Sequence, residues 1–104
     1  MKYQLVIQFE APRFETFDDL ISLEDLLRGK LESHAEVLVD GHDYGLGEAN
    51  IFIHTNEPQA ILEVVGETIE EARPGLPFAA GYRDFDEDEY TPLWPLNLEQ
   101  FRVA

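Results

Sequence analysis

The sequence predicts an α+β domain in which an antiparallel β-sheet carries two amphipathic helices on one face. Three observations carry that expectation. Segments at residues 3–9, 35–40 and 49–55 alternate apolar and polar side chains with the period of a half-buried strand. Two intervening stretches instead repeat apolar residues every three or four positions, the period of a helix with one buried stripe. The resulting order, strand, helix, strand, strand, helix, strand, has one common packing solution, because each apolar stripe must be buried against the same sheet.

The first strand places Tyr3, Leu5, Ile7 and Phe9 on one side and Gln4, Val6 and Gln8 on the other, and Ala11-Pro12-Arg13 ends it. Thr16 followed three residues later by Asp19 is an N-cap pair ahead of Phe17, Leu20, Ile21, Leu23, Leu27 and Leu31, so the first helix starts there and ends near Glu32. Gly29 weakens its last turn by about 1 kcal/mol relative to Ala. Residues 35–40 and 49–55 read as a hairpin joined by a glycine-rich connection over 41–47. Asn56 is the expected cap of the second helix and Pro58 suits its first turn. Ile61, Val64, Val65, Ile69 and Ala72 form its stripe, and Arg73-Pro74-Gly75 stops it. Residues 78–85 are compatible with a fourth strand, 86–89 form an acidic turn, and 90–95 return as a short C-terminal edge strand, the one place where proline costs no ladder bond. Residues 96–104 are a tail expected to pack through Leu98 and Phe101, so that 1–104 is one domain.

This βαββαβ order is that of a ferredoxin-like plait. The alternation puts Tyr3, Leu5, Ile7, Phe9, Ile51 and Ile53 under the helices and leaves Gln4, Val6, Gln8, Asn50, Phe52 and His54 on an open face. A bare face carrying Val6 and Phe52 calls for cover, by the C-terminal segment or by a second copy of the chain. Phe52 and His54 on that face are candidate interface residues, and a homodimer through it is one expected partner arrangement; Trp94, flanked by Pro92 and Pro95, is a third candidate, either a binding anchor or a ring buried over the sheet edge or face.

Charge narrows the classes of partner. Among 104 residues, 22 are acidic and 7 basic, a formal charge of −15. Such a field repels phosphate backbones and anionic lipid, which are bound by Lys and Arg displacing counterions, so neither nucleic acid nor a membrane is expected, whereas a basic protein would be attracted. The chain has no cysteine, which excludes disulfide scaffolds, thiolate metal sites and cysteine nucleophiles. The N-terminus enters a strand pattern without an apolar leader, and no long apolar run follows, so the expected location is cytoplasmic.

The richest chemistry lies between residues 40 and 50, where Asp40, His42, Asp43, Gly45, Gly47, Glu48 and Asn50 are gathered in what reads as a loop. Four readings compete. In the first, the glycines take positive φ in a long turn that the carboxylates cap. Alternatively, Asp40, His42, Asp43 and Glu48 supply oxygen and nitrogen ligands to a divalent ion, although the spacing fits no calcium-loop pattern. His42 could also be an acid–base group oriented by a carboxylate. Finally, the segment could simply touch a partner. Nucleotide-loop, zincin and nucleophile-elbow patterns are absent, so no catalytic residue, metal or cofactor is assigned.

The run Asp40-Gly41-His42-Asp43, Gly45, Gly47-Glu48 and Asn50-Ile51-Phe52-Ile53-His54-Thr55, with Tyr90, Thr91, Leu93, Trp94 and Pro95 near the end, resembles a family of small uncharacterised bacterial proteins. The resemblance covers most of the chain and implies a ferredoxin-like fold without an activity to carry over; Pro92 departs from the regular terminal strand. The leading expectation is a non-enzymatic protein-binding module of the immunity or inhibitor type that engages a basic partner. The alternative is a small-molecule or metal-dependent enzyme or regulator using residues 40–50.

Overall fold

The computed structural model describes residues 2–14, 16–34, 36–45 and 47–103. Along the chain run β1 (Tyr3–Glu10), a short 3-10 turn (Ala11–Arg13), α1 (Phe17–Leu31), β2 (Val37–Gly45), β3 (Glu48–Thr55), α2 (Pro58–Ala72), β4 (Ala79–Asp84) and β5 (Thr91–Trp94). The described strands form a five-stranded sheet in the order β2-β3-β1-β4-β5, antiparallel at every pairing. Ala35, Leu46 and Ala104, which fall in the expected second strand, the connection and the tail, lie outside the described residues.

Local chemistry sets the helix starts. Thr16 Oγ1 accepts from the Asp19 backbone N–H while Asp19 Oδ2 accepts from the Thr16 N–H, so two amides that α1 would otherwise leave orphaned are satisfied together. At α2 the expected cap is different. Pro58 occupies the first turn, but Asn56 does not cap; Thr55 Oγ1 accepts from the Glu57 N–H instead. Asn56 accepts from the Lys2 N–H and donates to the Glu36 carboxylate, tying the start of β1 to the turn before β2. A side chain with both donor and acceptor is better used bridging two chain segments than closing one helix end.

Leu5, Ile7, Ile51 and Ile53 are buried on the sheet's inner face against Leu20, Leu27, Val65 and Ile69 from the two helices. Each such side chain contributes roughly 1.5–3 kcal/mol when taken fully out of water. Both helices therefore lie on one face, as the alternation requires. Val6 points the other way and is also fully buried, because the C-terminal segment crosses that face. Phe101 packs over Gly81, which is the cross-strand partner of Val6, and meets the Tyr90 ring at 5.3 Å. Gln8 Nε2 donates to the Arg102 carbonyl, and Tyr90 and Arg83 both donate to Gln4 Oε1. Of the two covers expected for this face, the chain's own tail provides one across its centre. No described helix is long and apolar enough to cross a membrane.

Candidate functional site

The segment expected to be a loop is mostly strand. β2 continues to Gly45 and β3 begins at Glu48, so the connection of the hairpin is only the tip around Gly47, which takes φ +80°. The glycines of 41–47 read as a turn, but the strand runs through them after a bulge: the register shifts between Val39 and Gly41, leaving Asp40 as the extra residue. Beyond it His42 pairs with Ile51, Asp43 with Asn50 and Tyr44 with Ala49. The Gly47 carbonyl accepts from the Ala11 N–H, which fastens the tip to the end of β1.

Strand alternation then divides the candidate residues between two faces. His42 and Tyr44 turn toward α1. His42 Nδ1 lies 3.1 and 3.2 Å from the two carboxylate oxygens of Glu24, a side chain only 6% exposed. Phe17 sets its ring edge-on against both His42 and Tyr44. Arg28 comes within 4.0 Å of the same carboxyl group and donates to the Val39 carbonyl, so the buried Glu24 side chain is flanked by two nitrogen-bearing side chains that also lock α1 to β2. With Nδ1 engaged, only the other ring nitrogen of His42 could meet a ligand.

Asp40, Asp43, Glu48 and Asn50 fall on the opposite face. Asp40 is 3.6 Å from His54 Nε2, and the His54 ring in turn meets Phe85. Glu48 accepts from Gln8, the residue that also holds the tail at Arg102. Asn50 is 2% exposed, with its amide oxygen left without a hydrogen-bond partner. The imidazole of His42 and the carboxylates of Asp40, Asp43 and Glu48 are thus separated by the thickness of the sheet. Among the described residues no three histidine or carboxylate side chains gather as a metal ion would require. Gly45 and Gly47 supply the tip and approach no other atom that a side chain would displace.

The interface candidates are divided as well. Phe52 and His54 are half-buried on the open face beside the exposed Leu38 and Phe85. Trp94 pairs with Ala80, a core residue on the helix side, and stacks on Phe78 at 6.2 Å, so it belongs to the other face, beside α2. Two features escaped the sequence reading. Glu24 stands in line with Leu20, Leu27 and Leu31 on the buried stripe of α1, and a carboxylate in that stripe is the signal that would have marked it. The second is an apolar groove between α2 and β5, whose parts come from three separate segments. Compared with known proteins, the chain matches no family model, no curated protein and no solved structure.

Proposed function

We propose that this chain is a protein-binding module for a basic partner, acting in the cytoplasm in the manner of an immunity or inhibitor protein. One observation carries the reading: large apolar side chains, Leu38, Phe85, Trp94 and Leu96 among them, stand exposed on a chain of net charge −15. Exposed apolar area gives a partner something to bury, and the surrounding acidic field selects cationic partners and speeds their approach. We read the architecture as a ferredoxin-like plait, supported by the order β4-β1-β3-β2 with both helices on one face; β5 is an addition at the β4 edge. On the same footing, the Asp40–Thr55 run is read as membership of the small bacterial family it resembles.

The rival reading, a ligand-binding enzyme or regulator at residues 40–50, has one observation in its favour, the oriented His42–Glu24 pair. Against it stands the division of the remaining candidates to the other face. Immobilised at ~150 mM salt, where the Debye length is about 8 Å, the domain is expected to retain at least one member of a panel of purified cationic proteins and no neutral one. Retention of none of the cationic proteins refutes the proposal.

A further inference from the structure

A groove of about 900 Å³ runs between α2 and the β4–β5 edge. Its apolar lining is Leu62, Phe78, Leu93, Trp94 and Leu96, of which Leu96 is 87% and Trp94 40% exposed. The helix surface sinks at Gly66, where the Phe78 ring lies 3.9 Å from the place a Cβ would take. Along one side of this groove stand Glu63, Glu67 and Glu70, spaced by four and three residues on α2. Among the described residues neither Glu63 nor Glu67 has a basic partner; Glu70 accepts only from the Gly75 N–H. A row of carboxylates with no basic side chain among the described residues to neutralise it, bordering exposed apolar surface, is half of a charge-complementary interface.

Resting on the protein-binding reading above, we propose that this groove seats an amphipathic helix of the partner protein, its apolar stripe over Trp94 and Leu96 and its Lys or Arg side chains along Glu63, Glu67 and Glu70. The spacing supports a helix as the occupant. Seven residues of α2 rise about 10 Å, two turns, and basic side chains at i, i+4 and i+7 of a second helix repeat at the same pitch. An added strand is a poorer fit, since the β5 edge is four residues long and includes Pro92, which has no N–H to offer. A second copy of the chain is poorer still, because a symmetric contact would bring the same row of carboxylates face to face.

Trp94 is the only tryptophan in the sequence, so its emission reports occupancy of the groove directly. The probe is a labelled peptide of about 14 residues, four helical turns, with leucines at i, i+3, i+4 and i+7 and lysines on the flank. One control scrambles the same composition to destroy the stripe, and a second replaces Lys by Glu. At ~150 mM salt the striped basic peptide is expected to bind saturably by anisotropy and to shift Trp94 emission to shorter wavelength, while both controls bind about tenfold more weakly or less. Leu96→Glu and the double variant Glu63→Lys/Glu67→Lys, all at exposed positions, should each weaken it by about tenfold. Binding that leaves Trp94 emission unmoved and is indifferent to Leu96→Glu would overturn the groove as the site while leaving the general reading standing. No binding by any peptide also overturns the groove proposal, and the cationic-protein panel then decides the general reading separately. A dimer in light scattering that Leu96→Glu dissociates would assign the groove to a second copy and overturn it too.

Discussion

The ring of Phe101 rests on the backbone of Gly81 so closely that a Cβ at position 81 would lie 2.6 Å from its Cγ and Cδ1 atoms. Glycine inside a strand is ordinarily a weakness, costing roughly 0.5–1 kcal/mol relative to alanine. At Gly81 the missing side chain lets the C-terminal segment lie flat on the open face and bury Val6, so a local loss in the strand supports a tertiary gain.

That relationship predicts strong coupling between the two positions. Gly81→Ala should destabilise the protein by about 1–3 kcal/mol by lifting the tail, and Phe101→Ala by about 3 kcal/mol. In the Phe101→Ala background, Gly81→Ala should lose most of its penalty, since the ring contacts at 2.6 Å are gone and only the Cβ of residue 101, 3.0 Å away, still has to give. Urea denaturation of the four proteins measures this. A Gly81→Ala penalty undiminished by the loss of the Phe101 ring would mean that the crowding lies elsewhere.

A second cycle addresses Glu24 and His42. His42→Leu leaves a carboxylate that is 6% exposed with only Arg28 near it, at 4.0 Å, and should cost about 1–3 kcal/mol. Glu24→Leu should cost less, because the imidazole is 28% exposed and water can replace its partner. Replacing both by leucine extends the apolar stripe of α1 and should cost less than His42→Leu alone. Equal His42→Leu effects in the two backgrounds would show that the pair is not coupled.

The same residues explain what could be read from the sequence and what could not. Thr16 and Asp19 act within four residues of each other, and the strand alternation of Leu5, Ile7, Ile51 and Ile53 needs no knowledge of the rest of the chain; such local signals survive into the fold. The bulge at Asp40 is set by pairing with β3, so seven residues with three glycines read as a loop when five of them are strand. Splitting the candidate site follows from that error, since strand pairing, once recognised, sends His42 and Asp43 to opposite faces. By local rules alone Gly81 is a weak point in a strand, because its purpose is a contact with a residue twenty positions later. The face that Trp94 takes is not legible for a related reason: the register of a four-residue strand interrupted by proline is fixed by its neighbour β4, not by its own pattern.

The capping box offers a simple local test. Thr16→Ala removes the acceptor for the Asp19 N–H and should cost about 1 kcal/mol, lowering the Tm by about 4–8 °C for a chain of this length. Asp19→Ala removes the reciprocal acceptor and, with it, the carboxylate 3.9 Å from Arg73. The double variant should fall short of the sum, as both changes undo one motif. Strict additivity would show two independent contacts.

Divalent ions separate the two functional readings. A site that used Asp40, His42, Asp43 and Glu48 together would have to draw an imidazole through the sheet, since His42 is held on the α1 side by Glu24 while Asp40 faces His54 on the other. A ligand at 100 times its Kd adds about 2.7 kcal/mol to stability, which for a domain of this size is a Tm increase of about 10 °C or more. Calcium, magnesium or manganese is therefore expected to move the Tm no further than sodium chloride at equal ionic strength, through screening of the −15 charge alone. A larger, saturable rise that Asp43→Asn removes would restore the residue 40–50 segment as a metal site, because screening acts on the whole surface and would scarcely register the loss of one exposed carboxylate.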